Sequence, residues 1–336
     1  VFLFCMPAIS QELVHTSSSI PTNLNTKSFS VAEGLSQSTV TAISEDQDGY
    51  VWIGTLNGLN RFDGKEFKKY YSNDSSGLSS SFIQSIIFDG KRLLIGTDNG
   101  LNIYNEDTDK FEKVKNLNIP VWSLTQVKNI IIIGTDKEII EIDKNTLSIT
   151  NRISNNEFDS IKKIIKINNG YLLKNHNGTT LLSSNNEITK LSSNVIDIAN
   201  INKTPYIFTK NEIYKYNEIS KTLEKITNIH IDNIAINNEK ITYLQKNNIY
   251  HLDLSSLTSD LIGILSQTLL QPPHLLYQGE NYLFLASVNQ GIQFIGIKEN
   301  TISHIDSINE SVWNVSYDNE RYLAIATNTN TISIID

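Results

Sequence analysis

The sequence predicts an all-β fold, a β-propeller of four-stranded blades. Three observations predict it. A unit recurs eight times at about 34–43 residues, the spacing of propeller blades. Turn dipeptides fall at fixed places within each unit. Helical periodicity is nearly absent; 255–271, SSLTSDLIGILSQTLLQ, is the one candidate for a helix or long loop.

The best copy begins at Val40, VTAISEDQDGYVWIGTLNGLNRFDGKEFKKY, and two close copies begin at Ile83 and Val121. Each opens on a strand with apolar residues three apart: Val40 and Ile43, Ile83 and Ile86, Val121 and Leu124. Asp48-Gly49, Asp89-Gly90 and Asn169-Gly170 follow as hairpin turns, where φ must be positive. The second strand ends Ile-Gly-Thr. Its glycine column is Gly54, Gly96 and Gly134, becoming Ala286 and Ala326 in late copies. Small residues there let adjacent sheets approach closely. Lys174, Thr209 and Gln245 interrupt the column in the middle copies. Asn57-Gly58, Asn99-Gly100 and Asn177-Gly178 turn into the third strand, and Phe62-Asp63-Gly64-Lys65 into the fourth. The fourth strand carries an anchor such as Phe67, Phe111 or Leu147. Weaker copies start near Ile161, Val195, Ile231, His274 and Val312.

One such hairpin set cannot bury both faces, so the sheets must stack radially. A strand-like NTKSFSVAE at 25–33 precedes the first copy. It can complete the blade begun at His274, giving seven blades, or the one begun at Val312, giving eight. Either closure removes an exposed sheet edge. Seven is the expectation, with the propeller over 25–300 and 301–336 starting a second propeller; in the eight-bladed alternative 301–336 is the last blade.

The first ten residues, VFLFCMPAIS, read as the end of a secretory signal: an apolar core, then Ala8-Ile9-Ser10. A short buried strand is the alternative. Cys5 is the only cysteine, and bulky Leu3-Phe4 before it argue against lipidation. Residues 11–24 read as a polar linker. No run is long and apolar enough to span a membrane as a helix. Hydrophobic content of 39% and charged content of 19% suit a folded domain. A net charge of -8 argues against nucleic acid as a partner of this segment.

Residues 31–70, VAEGLSQSTVTAISEDQDGYVWIGTLNGLNRFDGKEFKKY, resemble the regulator-propeller repeat of periplasmic sensors in hybrid two-component systems, best known from Bacteroidota. Gly34, Leu35, Asp48, Gly49, Trp52, Ile53, Gly54, Thr55, Gly58, Leu59, Phe62 and Asp63 carry the resemblance. The second and third copies match in part, the rest in plan. The resemblance implies seven-bladed propellers, often in tandem, followed by a β-sandwich, one membrane helix and a histidine kinase. It implies a periplasmic ligand-sensing domain without enzymatic activity of its own, sensing a glycan oligosaccharide, tethered to the membrane downstream and open to homodimer formation. Two other readings stay open: a secreted propeller enzyme, a lyase or hydrolase, and a protein-interaction scaffold.

The second residue of each first strand is variable: Thr41, Gln84, Trp122, Lys162, Ile196, Asp232, Leu275 and Trp313. Its neighbours are steadily apolar, so this column faces a channel mouth or the central channel. Mixed aromatics, amides and charges around a ring can hold a sugar. Trp122, Trp313, Gln84, Lys162, Asp232 and Thr41 are therefore the candidate ligand contacts. The alternative has the tryptophans packed between blades and the rest solvated. Trp52 reads as blade packing, and Arg61 as the partner of Asp63 or Glu66. Asp46-Gln47-Asp48-Gly49 lacks the six oxygen ligands of a calcium loop. The six histidines (15, 176, 230, 251, 274 and 304) show no metal-ligand spacing, and no nucleophile elbow or phosphate loop appears. No catalytic residue, metal or cofactor is expected.

Overall fold

A computed structural model describes residues 14–16, 23–24, 26–237, 239–265, 273–279, 282–296, 312–317, 323–327 and 332–335. The chain divides into two compact units, Val1–Ile297 and Lys298–Asp336. The first holds seven four-stranded antiparallel blades in a ring. Blade 1 consists of Val40–Glu45, Val51–Thr55, Gly58–Phe62 and Phe67–Tyr70. The innermost strands of blades 2 to 7 are Ile83–Phe88, Ser123–Val127, Lys163–Ile167, Val195–Ile201, Asn233–Asn237 and Pro273–Gln278. Thr26–Phe29 pairs antiparallel with Gly291–Gly296, placing Phe29 opposite Ile292. The N-terminal strand thus completes blade 7, and the ring closes at seven. The second unit contains an antiparallel sheet of Val312–Tyr317, Leu323–Thr327 and Ile332–Ile335.

Three readings of elements change. The candidate helix over 255–271 contains a strand, Thr258–Leu265, the fourth of blade 6. Gly263 weakens a helix there, and it is needed in the strand: a Cβ would come within 2.5 Å of the Leu24 side chain. Part of the stretch read as linker is paired, since Val14–Thr16 and Asn23–Leu24 lie parallel to Thr258–Leu265. Leu147 sits in the turn before Ile149–Ser154, at φ 57°, not on the fourth strand. The signal reading of residues 1–10 lies outside the described residues.

The glycine column does what its size allows. A Cβ on Gly54 would meet Ile83 Cγ2 at 2.5 Å, and one on Gly134 would meet Ser123 Oγ at 2.3 Å and Ile161 O at 2.7 Å. Ile83 and Ile161, at the entry to the next blade, and Ser123 of the same blade occupy that space. Where Lys174 replaces the glycine, its ammonium crosses the seam and donates to Ile196 O.

Six of the seven seams also carry an apolar stitch. The residue after the third-strand glycine, or its equivalent, shares a buried cluster with an apolar residue from the segment leading to the next blade. The pairs are Leu59 with Leu78, Leu101 with Leu117, Ile139 with Phe158, Ile213 with Ile229, Ile249 with Leu265 and Ile292 with Leu35. Full burial of one such side chain is worth about 1.5–3 kcal/mol. Beside the stitches of blades 1 and 2 sits a polar clasp. Asn60 Oδ1 accepts from Ser36 N at 2.8 Å, Asn60 Nδ2 donates to Ser36 Oγ at 2.9 Å, and Ser36 Oγ meets Thr55 Oγ1 at 3.0 Å. Ser79, Asn102 and Thr97 repeat it. The Gly-Leu-Ser, Ile-Gly-Thr and Gly-Leu-Asn motifs are thus one device, far apart in sequence and joined in space.

Trp52 is fully buried, stacked on Tyr70 at 5.8 Å with its indole N–H on Asp46 Oδ2 at 2.7 Å. Asp46 Oδ1 accepts from the amides of Asp48 and Tyr50, so the carboxylate serves the turn. Arg61 does not pair with Asp63 or Glu66. It reaches the next blade, donating to Tyr104 Oη at 2.7 Å with Asp109 3.7 Å away, and stacks on Tyr50. Asp63 instead accepts from the amides of Lys65 and Glu66 in its own turn.

Candidate functional site

The variable column is a column of β-bulges. Val40 faces Thr55 and Ala42 faces Gly54, so Thr41 is an extra residue. Gln84 and Ile196 are extra in the same way. In blades 3, 4 and 6 the amides of Trp122, Lys162 and Asp232 donate to the carbonyls of Gly134, Lys174 and Leu244, each at 2.8 Å. Those carbonyl residues already face Ser123, Lys163 and Asn233. A bulge re-aims its side chain away from the pleat, which is why this position varies while its neighbours stay apolar. In blade 7 the extra residue is His274, not Leu275; Pro273 starts that strand one residue earlier than the sequence pattern places it. Trp313 occupies a bulge in the second unit, and its side chain lies outside the described residues.

The structure joins two of the candidates. The Lys162 ammonium lies 3.4 Å from the centre of the Trp122 ring. This cation–π contact bridges blades 3 and 4 and is worth up to about 2 kcal/mol when desolvated. Trp122 Nε1 donates to Asp136 Oδ1 at 2.6 Å, and Ser160 Oγ donates to the same oxygen at 2.9 Å. Burial pushes the Lys162 pKa down, opposed by the Asp136 and Asp159 carboxylates. Asp136 follows Ile-Gly-Thr as Asp98 does in the second copy, a signal shared by two copies, whereas Ser160 lies in a connection that differs from blade to blade.

The other candidates stand apart from this pair. Thr41 Oγ1 and Gln84 Nε2 are buried and have no hydrogen-bond partner among the described residues. Asp232 turns to its own blade, with His230 Nε2 at 3.1 Å and the Lys246 amide at 2.6 Å. His274 Nε2 donates to Val40 O at 2.6 Å, across the closing seam. The bulge positions therefore carry an indole, an ammonium, a carboxylate, an amide and an imidazole, of which the indole and the ammonium meet. These are groups that bind polar ligands by hydrogen bonding and ring contact. No group of three or more His, Cys, Asp or Glu able to hold a metal ion occurs among the described residues.

Residues 34–57 match the family model of the two component regulator propeller. A segment of 81 residues is 42% identical to histidine kinase P4 of Formosa agariphila, covering 24% of this chain and 6% of that protein. The fold is similar to the extracellular domain of the hybrid two component system BT3049 of B. thetaiotaomicron. That match has a TM-score of 0.65 at 20% identity and covers 94% of this chain and 48% of the other. Virginiamycin B lyase of Staphylococcus aureus shares the fold at a TM-score of 0.58 and 14% identity, covering 82% of this chain and 99% of the lyase. This chain thus spans under half of the extracellular domain it is similar to, and a small part of the kinase.

Proposed function

We propose, from the premise that this chain carries the two component regulator propeller repeat, that it is the extracytoplasmic ligand-sensing domain of a two-component sensor. The observation that carries the reading is the matched repeat at 34–57, set in a complete seven-bladed ring. The ligand is a glycan oligosaccharide, held at the bulge positions of the inner strands. Trp122 supplies ring surface, Lys162 and Asp136 hydrogen bonds to hydroxyls, and Gln84 and Thr41 the polar atoms left unpartnered. The domain does no chemistry on its ligand. Binding favours one packing of the ring or of a homodimer, and that preference biases a membrane-tethered histidine kinase beyond this segment.

Thermal-shift screening of oligosaccharides tests this. A ligand at 100 times its Kd stabilises by about 2.7 kcal/mol, which raises Tm by roughly 4–5 °C in a domain of this size. Turnover of any oligosaccharide by the purified chain would contradict the sensing role.

A further inference from the structure

One seam lacks its stitch. Six blades place Leu or Ile at the stitch position, each 0–1% exposed. Blade 4 places Thr179 there, equally buried at 1%, and its hydroxyl has no partner among the described residues. Leu191, on the fourth strand of the same blade, is only half-buried. A cavity of about 310 Å³ opens at this point, lined by both residues, at the small end of ligand pockets. The clasp is missing too: Asn175, Asp159 and Thr180 stand where blade 1 has Thr55, Ser36 and Asn60.

We propose that this gap is a binding site for a small hydroxylated organic ammonium the size of an amino sugar. A ligand hydroxyl meets Thr179, whose buried polar atom otherwise costs stability. The carbon skeleton covers Leu191 and Ile188. Glu157 and Asp159 line the gap, exposed and in no ion pair among the described residues, and they receive the ammonium. Lys190 is the lone cation in the lining, so its net charge disfavours anions. Asn177 already donates to Asp159 at 3.3 Å, orienting the carboxylate. This site stands independently of the sensor reading: a chain that binds here and ignores every oligosaccharide at the mouth would keep this site and lose that reading.

Calorimetric titration of the full chain with glucosamine, glucose and glucuronate tests it, since the three share a skeleton and differ in charge. Glucosamine should bind at least tenfold more tightly than glucuronate. Thr179→Leu, the residue type other blades carry, should raise Tm and weaken glucosamine at least tenfold. Asp159→Asn, an exposed change, should weaken glucosamine tenfold and leave glucose unchanged. Three results would overturn the proposal: no binding of any sugar, glucuronate binding as well as glucosamine, or unaltered glucosamine affinity in either variant.

Discussion

Asp109 shows how one residue can hold two blades. Its Oδ1 accepts from the hydroxyls of Tyr70 and Tyr104, each at 2.7 Å, and Lys68 pairs with its other oxygen. Burial raises its pKa, but hydrogen bonds from Lys68, Tyr104 and Tyr70 outweigh burial and hold it at about 2. A carboxylate depressed on folding adds stability above its unfolded pKa and loses it as pH falls through the folded value. Asp109→Asn should therefore lower Tm at pH 7, and the gap to the unaltered chain should shrink between about pH 4 and pH 2. A gap independent of pH would show that the charge is not what binds the blades. At this scale the sequence was least informative. Arg61, Tyr70, Tyr104 and Asp109 lie on separate turns and strands, and only the ring brings them together.

At the scale of elements, much was legible. The Asp-Gly and Asn-Gly turns have a local cause, and Gly49 and Gly90 adopt φ of 83° and 86° as a tight turn requires. The glycine column was legible because its cause is size. Gly96→Ala would drive a Cβ to 2.6 Å from Val121 Cγ1 and 2.8 Å from its carbonyl oxygen. It should cost about 1–3 kcal/mol by overpacking. Gly49→Ala meets nothing within 4 Å and should cost about 1–2 kcal/mol from backbone strain alone. Urea denaturation of the two variants measures both, and a Gly96→Ala cost under about 1 kcal/mol would contradict the close-approach account. What failed at this scale had a decayed pattern. Thr258–Leu265 alternates poorly in polarity and followed no turn dipeptide, so it was not readable as a strand. His274 was missed because the preceding Pro273 hid the start of its strand by one residue.

The whole molecule depends on its closure. Whether the N-terminal strand finished a seventh or an eighth blade could not be decided from repeats, because both pairings satisfy the same pattern. The register of Phe29 against Ile292 decides it. Phe29 packs edge-on against Phe62, Phe67 and Phe294 at 5.0, 5.3 and 4.9 Å, joining blades 7 and 1. Phe29→Ala should cost about 3–5 kcal/mol, read as a lower denaturation midpoint. A loss under 1 kcal/mol would mean the ring holds without its latch. The proposed function also belongs to this scale, since the residues proposed to hold the ligand come from several blades. Its most direct test is calorimetric titration of an oligosaccharide found by thermal shift against Trp122→Ala and Lys162→Ala, with Lys69→Ala on an outer strand as control. Both mouth variants should bind at least tenfold more weakly, a loss of about 1.4 kcal/mol or more, and the control should bind as the unaltered chain does. Unchanged affinity in Trp122→Ala and Lys162→Ala would contradict a ligand site at the bulge ring.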